Sequence, residues 1–480
     1  METEHLDVVV VGAGLSGVAA GYHLQTSCPK KTYAILEGRE VMGGTWDLFR
    51  YPGIRSDSDM FTLGYSFRPW RAAKAIADGD SILTYIQETA AEFGIDRHIR
   101  YRHMVEAAKW SSADARWHLD VRVAGAPRKI TCGFLILCSG YYDYDEGYTP
   151  ALAGRAAFQG QVVHPQKWTA DIDYAGKRVV VIGSGATAVT LVPELAKKAA
   201  HVTMLQRSPT YIVTVPAKDP IADFLRARLP EKLAHSAVRW KNVLFGMTFF
   251  NISRKWPAQT ARFLIKQAAK QLNGSADVAK HFTPTYNVWD QRLCLIPDAD
   301  LFKSIEAGTA SVVTDHIDHL DETGIVLRSG EHIAADLIVT ATGLKLKPFG
   351  GIAFSIDGKP LVASEQMVYK GLMVSGVPNL AFAVGYTNAS WTLKADLTAQ
   401  YACRLIAHMD KHGFTWCCPE RSPDVVEEPL MSFTSGYVQR SIAEFPTQGD
   451  RRPWKLFQNY ALDLLMIRHS KLDDSALRFG

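Results

Sequence analysis

The sequence lacks a membrane-spanning hydrophobic run, a strong net charge and any grouping of histidines typical of a metal site. No apolar stretch reaches the roughly 18 residues that suggest a transmembrane helix. The 53 basic and 49 acidic residues leave a net charge of +4, and there is no basic tract that would indicate nucleic acid binding. The 15 histidines show no ligand-like spacing with Cys, Asp or Glu, so we expect no metal. Nothing implies a protein partner.

Cysteine is sparse and lacks CxxC spacing. The 7 cysteines are an odd number, which favours a reducing compartment over a disulfide framework. None lies between Cys28 and Cys132, which excludes the redox pair that disulfide reductases carry after their first nucleotide motif. The acidic start, residues 1–7, leads directly into an apolar strand, so we expect no signal peptide and a cytoplasmic location.

The most apolar helical stretch, residues 243–250, is flanked by Lys241, Arg254 and Lys255. Such a segment can dip into a membrane surface, which gives weak support for peripheral membrane association. Its length is more typical of a buried helix. We therefore expect a helix buried in the substrate region.

The chain contains enough apolar material for two or three domains, with 480 residues of which 47% are hydrophobic. The first glycine-rich turn, Gly12-x-Gly14-x-x-Gly17, follows a run of valines that is typical of a buried parallel strand. Gly12 and Gly14 allow a tight turn and close approach to a pyrophosphate, and Gly17 allows close helix packing. The next strand delivers Glu37, an acid that suits the unphosphorylated ribose of FAD or NAD.

A second glycine-rich turn follows another valine run and has a different ending. It comprises Gly183, Ser184, Gly185, Ala186, Thr187 and Ala188, with Val189 continuing the helix. The next strand ends in Gln206-Arg207-Ser208, without an acid. Arg207 can form charge-assisted bonds to a 2′-phosphate and Ser208 can donate one more, so this turn favours NADP(H).

The order of these units predicts an α/β fold with two Rossmann-like dinucleotide-binding domains. Residues 1–145 and 336–480 are predicted to form a discontinuous FAD domain, and residues 146–214 and 286–335 an inserted NADP domain. Residues 215–285 read as a helical insert that covers the substrate region.

Smaller elements of this organisation are also predicted. Residues 116–131 read as a hairpin, and residues 336–343 as the strand and turn that return the chain to the FAD domain. A helix at about 392–412 is expected to pack on the FAD domain.

Two longer patterns resemble those of the Baeyer–Villiger monooxygenases. One matches residues 43–57 throughout, from Gly44-Thr45-Trp46 through an aromatic residue and proline to Asp57. The other aligns with Phe158, Gly160, His164 and Trp168, although Thr169 stands where Pro or Asp is usual. The resemblance spans nearly the whole chain, and within the family it is strongest to the ethionamide-activating type.

This resemblance implies an NADPH-dependent FAD enzyme that inserts one oxygen atom of O2 beside a ketone carbonyl through a flavin C4a-peroxide. The product would be an ester or lactone, with sulfoxidation of thioethers as a secondary activity. The resemblance makes Arg292 the catalytic cation, a role that suits the permanent charge and forked donors of guanidinium, and makes Asp57 the acid that orients it. The local sequence around Arg292, taken alone, favours a surface ion pair between Arg292 and Asp290.

Motifs and resemblance together give the predicted cofactor contacts. The FAD set is Gly12, Gly14, Ser16, Gly17, Glu37, Gly44, Thr45, Trp46, Asp47, Leu48, Asp57 and Val105. The NADP set is Arg55, Ser56, Asp57, Gly183, Ser184, Gly185, Ala186, Thr187, Ala188, Val189, Arg207 and Ser208. Ser16 would lie at the pyrophosphate and the Val105 backbone at the adenine, and the Thr45 hydroxyl with the amides of Asp47 and Leu48 would be available to FAD.

Other residues are predicted to act around these contacts. His164 and Trp168 would form a hinge between the nucleotide domains. Asn388, Trp391 and Lys394 either line the flavin or substrate route or cap and pack a helix.

Two alternatives to ketone oxygenation remain open. One is a flavin monooxygenase that oxygenates nitrogen or sulfur without ketone activity; such enzymes typically have Tyr or Phe where Trp168 stands. The other is a non-catalytic redox sensor that binds FAD and NADPH to regulate a partner.

Overall fold

In the computed structural model, which describes residues 3–480, each valine run lies at the centre of a sheet. Glu4–Val11 lies between Tyr33–Leu36 and Ala126–Leu137, and all three strands are parallel. Arg178–Ile182 likewise lies parallel between His201–Gln206 and Leu337–Thr340. The valines of both runs are almost wholly buried, as expected for parallel strands.

The first sheet combines parallel strands with an antiparallel meander. Its order from edge to edge is Lys359–Pro360, Ala353–Ile356, His103–Ser111, Arg116–Val123, Ala126–Leu137, Glu4–Val11, Tyr33–Leu36 and Ile99–Arg100, and Leu380–Phe382 pairs with Ala126–Leu137. The hairpin predicted at 116–131 is confirmed. The early helices of the chain are α1 (Leu15–Ser27), α2 (Thr45–Leu48), α3 (Met60–Leu63) and α4 (Gly79–Glu92).

The second sheet is wholly parallel. Its order is Ala310–Thr314, His201–Gln206, Arg178–Ile182, Leu337–Thr340 and Gln161–Val163. Helix α5 (Ala186–Leu195) follows the second glycine turn and packs on one face of this sheet. An antiparallel sheet of Ile317–Leu320, Gly324–Leu327 and His332–Ala334 packs on the other face.

The strand Leu337–Thr340 corrects the predicted boundary at residue 336. The sequence assigned it to the returning FAD segment, but it pairs with Arg178–Ile182 inside the second sheet. The pattern of a short, mostly apolar strand predicts that the strand is buried but does not show which sheet it joins. The pattern of Leu337–Thr340 therefore fits either the first or the second sheet. The chain returns only afterwards, where Leu344–Leu346 pairs antiparallel with Tyr142–Gly147.

The predicted helical insert contains four helices: α6 (Pro220–Arg228), α7 (Glu231–Lys255), α8 (Pro257–Leu272) and α9 (Val278–His281). The expectation that residues 243–250 are buried is wrong, because Leu244 is 53% and Phe245 72% exposed. A long helix needs only one apolar face toward the protein, and local hydrophobicity cannot tell which face that is. Within residues 3–480, no helix is long and apolar enough to cross a membrane.

The rest of the chain completes both units. Helix α10 (Asp300–Glu306) packs on the second sheet beside α5. Helix α11 (Trp391–His412) confirms the helix predicted at 392–412 and packs against α1, where His23 meets Asp396. Short pieces follow it, α12 (Gly436–Gln439) and α13 (Tyr460–Leu464). The remaining strands form pairs: Ile212–Val215 with Cys294–Pro297, Val368–Tyr369 with Met373–Val374, Cys417–Pro419 with Leu477–Phe479, and Glu427–Pro429 with Thr447–Gly449.

Candidate functional site

A cavity of about 620 Å³ is lined by both glycine-turn units. The predicted residues that line it are Gly12, Gly14, Ser16, Glu37, Gly44, Thr45, Trp46, Arg55, Ser56, Asp57, Val105, His164, Ala186, Thr187, Arg292 and Trp391. Other predicted residues lie outside its lining: Gly17, Asp47, Leu48, Trp168, Gly183, Ser184, Gly185, Ala188, Val189, Arg207, Ser208, Asn388 and Lys394. The cavity therefore gathers most of the predicted FAD set and part of the NADP set.

The first glycine turn is packed too closely for side chains. Gly12 has φ +99°, and a Cβ atom on it would lie 2.6 Å from the Cys138 carbonyl oxygen. A Cβ on Gly17 would lie 1.9 Å from the Gly12 oxygen, so Gly17 serves the helix–strand packing inferred from sequence. Gly14 faces Gly44 across the cavity wall, where a Cβ on Gly44 would come within 3.1 Å of the Gly14 Cα.

Glu37 lies at the end of Tyr33–Leu36 and is almost fully buried. Its carboxylate accepts hydrogen bonds from the Ala13 amide at 2.8 Å and the Arg39 amide at 2.9 Å. These bonds hold the acid beside the first glycine turn, with the side chain at the cavity surface. This is the position from which an acid can reach a ribose hydroxyl.

Asp47 and Leu48 correct the prediction at the Gly44 turn. Their amides donate to the Gly44 carbonyl within the short helix α2, so they are not free for a cofactor. The Asp47 carboxylate is engaged by Arg39 and Arg50. The sequence could not show that this segment closes into a helical turn, which consumes its amides internally. The Thr45 hydroxyl does face the cavity, 3.4 Å from the Tyr144 hydroxyl.

The second glycine turn and the end of the next strand lie side by side. The Ser184 hydroxyl donates to the Ser208 carbonyl at 3.0 Å. Within residues 3–480, no atom outside the local backbone lies within 4 Å of a Cβ built on Gly185, so open space faces this glycine. Arg207 is exposed, and among residues 3–480 no carboxylate pairs with it. The turn thus presents open backbone and a free cation on one side.

Arg292 and Asp57, distant in sequence, form a two-pronged ion pair at the cavity. The Arg292 Nε lies 2.8 Å from one Asp57 oxygen, and its second donor lies 3.1 Å from the other. Asp290, the partner suggested by local context, pairs instead with Arg254. Attraction to the Asp57 carboxylate, opposed by burial, raises the pKa of Arg292. The structure therefore fixes a permanent positive charge in the cavity wall.

The loop that carries Arg292 is conformationally unusual. Trp289 has φ +74°, a left-handed conformation that costs energy in a residue other than glycine. Its indole N–H is buried and has no hydrogen-bond partner in the part of the chain that the structure describes, and its ring packs edge-on against Phe249 and Phe250 of α7. The Asp290 carbonyl accepts from Thr434, which ties the loop to the C-terminal segment. The chain thus holds a strained loop in place to present Arg292.

Arg55 joins the two units and supplies a buried donor without a partner. Its guanidinium pairs with Asp300 of α10 at 2.5 Å. Its Nε is buried and finds no hydrogen-bond partner among the described residues 3–480, although the residue lines the cavity. A buried unpaired cationic donor is costly unless a ligand satisfies it, and an anionic group such as a phosphate would do so. The cavity, with its glycine turns and this donor, therefore fits phosphate-containing dinucleotides.

His164 connects the two segments in which the chain passes from one nucleotide unit to the other, one at His164 itself and one at Gly343. Its Nε2 lies 3.1 Å from the Gly343 carbonyl, and its Nδ1 accepts from the Gln166 amide at 3.1 Å. Burial lowers the pKa of His164, which favours the neutral ring that these two bonds require. Trp168 is buried and packs edge-on against Tyr174, away from the cavity. His164 therefore lies at the linker and lines the cavity, whereas Trp168 is buried outside the cavity lining.

The three candidates near α11 separate in the structure. Trp391 lines the cavity, donates to the Ser16 hydroxyl at 2.8 Å and stacks on Tyr141. Lys394 is buried in an ion pair with Asp463 at 2.7 Å, and Asn388 donates to the Gln458 carbonyl. Only Trp391 belongs to the cavity, whereas Lys394 and Asn388 stabilise the C-terminal packing.

A group of tyrosines around the cavity was missed from the sequence. Tyr51, Tyr141, Tyr142 and Tyr144 line it, and the hydroxyls of Tyr141 and Tyr142 lie 3.1 Å apart. Burial raises the pKa of Tyr51 to about 12, so its hydroxyl is a neutral hydrogen-bonding group. The clustered tyrosines directly after Ser139-Gly140 are the signal that could have identified this wall.

Comparison with known proteins places the chain in a family. Residues 75–373 match the model "Flavin-binding monooxygenase-like", and residues 10–75 match "NAD(P)-binding Rossmann-like domain". The chain is 57% identical over 480 residues to FAD-containing monooxygenase EthA of Mycobacterium tuberculosis, covering 100% of this chain and 98% of that protein. It is 47% identical to the probable FAD-binding monooxygenase AlmA of Acinetobacter baylyi, covering 99% and 96%.

Solved structures share the fold. An oxidised steroid monooxygenase bound to NADP matches with a TM-score of 0.77 at 22% identity, covering 99% of both chains. An ε-caprolactone-bound cyclohexanone monooxygenase matches with a TM-score of 0.77 at 18% identity, covering 100% of both chains. The fold with two nucleotide-binding units is thus confirmed, and by its family match and its full-length relatives the chain belongs to the flavin-binding monooxygenase-like family and is a flavin-dependent monooxygenase.

Proposed function

We propose that this enzyme is an NADPH-dependent, FAD-containing Baeyer–Villiger monooxygenase that converts ketones to esters or lactones. The overall reaction combines ketone, O2, NADPH and a proton to give ester, NADP+ and water. Oxygenation of thioethers at sulfur is the expected secondary activity. The observation that carries the proposal is the Arg292–Asp57 pair in the wall of the cavity between the two nucleotide units.

The two cofactors are assigned to different turns. FAD is proposed to lie along Gly12, Gly14 and Ser16, with its ribose at Glu37, because these groups line the cavity and glycines without side chains allow close approach of a pyrophosphate to the backbone. NADPH is proposed at the Gly183–Ala188 turn, where Arg207 is free to meet a 2′-phosphate. Bound FAD, once reduced by NADPH, supplies the activated oxygen.

The protein's own groups would guide the oxygen into the substrate. Insertion beside a carbonyl develops negative charge on the carbonyl oxygen, and a preorganised cation stabilises it without reorganising at the moment of reaction. Arg292 can supply that charge, since Asp57 fixes its plane through two bonds. The neutral tyrosines of the wall and Trp391 would exclude water, which strengthens each electrostatic contact.

His164 is proposed as a hinge residue and not as an acid or base. Its two ring nitrogens are committed to Gly343 and Gln166, so it holds the linkers together.

The seven cysteines are all free and buried, which supports a reducing location, and we propose the cytoplasm.

Product analysis with a mixed panel of linear, cyclic and aryl ketones and a thioether tests the proposal. With NADPH we expect ester from at least one ketone and sulfoxide from the thioether, and much less of each with NADH. Sulfoxide without any ester would favour the nitrogen- or sulfur-oxygenating alternative. NADPH-dependent flavin reduction without any oxygenated product would favour a redox sensor.

A further inference from the structure

Large exposed apolar side chains are concentrated in the helical insert. Of the sixteen within residues 3–480, ten lie between Ile221 and Phe263. They are Ile221, Phe224, Leu229, Leu233, Trp240, Leu244, Phe245, Ile252, Trp256 and Phe263. Such a concentration of exposed apolar side chains in one segment is typical of an interaction surface.

On α7 these side chains form a stripe and are not scattered. Leu233, Trp240 and Leu244 follow one another at intervals of seven and four residues, which places them on one line of a helix. Phe245 and Ile252 form a second line at the same seven-residue interval, about 100° round the helix from the first. From Leu233 to Ile252 the stripe extends about 29 Å along the helix. Since α7 packs against both α6 and α8, the apolar residues of all three helices belong to one structural unit.

The same unit is strongly basic, although the chain as a whole is not. From Asp219 to Leu272 there are ten basic residues: Arg226, Arg228, Lys232, Arg239, Lys241, Arg254, Lys255, Arg262, Lys266 and Lys270. Only three acids lie there, Asp219, Asp223 and Glu231. The segment therefore carries +7 while the full chain carries +4, so the remainder is net negative.

Cations and exposed rings are interleaved on this surface. The Arg228 guanidinium lies 3.9 Å from the Phe224 ring centre, and the Lys255 ammonium 4.7 Å from that of Trp256. Helices with Trp, Phe and Leu on one side and Lys and Arg around them are typical of proteins that lie in the headgroup region of a bilayer. Repulsion between two such basic faces disfavours a second copy of the same face as the occupant.

We propose that α6, α7 and α8 form a docking surface for anionic lipid bilayers, with the apolar stripe inserted at the headgroup boundary and the exposed cations facing lipid phosphates. These cations are Arg228, Lys232, Lys255, Arg262, Lys266 and Lys270. Arg239 is buried, and Lys241 and Arg254 pair with Asp219 and Asp290. The surface contacts the loop that carries Arg292, because α7 also packs on Trp289 through Phe249 and Phe250 and pairs with Asp290 through Arg254. Docking would place the Arg292 loop next to lipid-dissolved apolar molecules.

Vesicle flotation of the holoenzyme tests this surface, using phosphatidylcholine vesicles with and without phosphatidylglycerol. We expect binding only to the anionic vesicles, weakening as salt is raised. Lys266→Gln with Lys270→Gln should weaken partitioning roughly 25-fold, since each cation near an anionic leaflet is worth roughly fivefold. Leu244→Ser with Phe245→Ser should weaken it at least roughly tenfold.

Matched variants outside the insert serve as controls. Val362→Ser with Val426→Ser removes two other exposed apolar side chains, and Lys30→Gln with Lys129→Gln removes two other exposed cations. Both pairs should bind vesicles as the wild type does, and all variants should retain flavin and the wild-type unfolding temperature. Equal loss in controls and insert variants would overturn the proposal.

Sedimentation velocity without lipid tests the alternative occupant of this face, a second copy of the chain. A wild-type dimer that Leu244→Ser with Phe245→Ser dissociates, together with no vesicle binding, would make this face a contact between copies and refute lipid docking.

Discussion

Replacing Arg292 by alanine should uncouple NADPH consumption from ester formation. The two bonds to Asp57, at 2.8 and 3.1 Å, hold the guanidinium in one orientation at the cavity. Removing one preorganised donor to a developing oxyanion typically costs about 2.7–4 kcal/mol of transition-state stabilisation. This corresponds to a loss of about 100- to 1,000-fold in the rate of oxygen insertion, since each 1.4 kcal/mol is about tenfold.

The orienting acid should have a smaller effect. Two unit charges about 4 Å apart attract by about 4 kcal/mol at an effective dielectric constant of about 20. The side chains of Arg292 and Asp57 are 34% and 30% exposed, so solvent screening reduces this value; we use about 1–2 kcal/mol. Asp57→Asn should therefore lower ester formation roughly tenfold. Arg292→Lys should fall between Asp57→Asn and Arg292→Ala, because ammonium keeps the charge but loses the fork.

The assay follows NADPH oxidation by absorbance while ester and hydrogen peroxide are quantified in the same samples. For Arg292→Ala the ratio of ester to NADPH should collapse while peroxide rises. Arg254→Ala is the matched control, because Arg254 pairs with Asp290 on the same loop but does not line the cavity. An unchanged ester-to-NADPH ratio in Arg292→Ala would refute the role assigned to Arg292.

Three further predictions follow from the turns and the buried core. Gly185→Ala should leave the unfolding temperature unchanged, since no protein atom lies within 4 Å of the new Cβ, but should raise KM for NADPH because that Cβ occupies the space proposed for the cofactor; an unchanged KM would place the cofactor elsewhere. Arg207→Ala should raise KM for NADPH roughly tenfold or more with little effect on NADH, as steady-state kinetics with both cofactors would reveal, and equal effects on both would contradict the phosphate contact. Lys394→Met should destabilise the fold by about 3–5 kcal/mol in urea unfolding because it leaves the buried Asp463 carboxylate without its counter-ion, with a hydrogen bond from Tyr386 remaining, and adding Asp463→Leu should recover most of the loss; a double variant no more stable than the single one would refute this account.

Local residues sufficed for the nucleotide turns, and the family match supports the predicted FAD and NADP(H). A buried valine run, three closely spaced glycines and the charge at the end of the next strand all lie within one βαβ unit, so their arrangement follows from short-range geometry. The resemblance at residues 43–57 pointed to the family, and the comparisons confirm it. The Gly44 turn was anticipated less well, because the internal bonds that engage the amides of Asp47 and Leu48 depend on the turn's exact backbone path.

Residues far apart in the chain required the fold. The local motif around Trp289 favours Asp290 as the partner of Arg292, whereas the family resemblance predicts Asp57, which is 235 positions away. The packing of the two units brings Asp57 and Arg292 together. The sequence did not predict that Leu337–Thr340 belongs to the second sheet, because the pattern of a buried strand does not show which strand it pairs with. The sequence by itself therefore determined two glycine turns, each following a buried parallel strand, and the family of the chain. The tertiary structure alone decided the two-bond geometry of the Arg292–Asp57 pair and the exposure of the apolar side chains on the basic insert, because burial and pairing geometry depend on which distant surfaces meet.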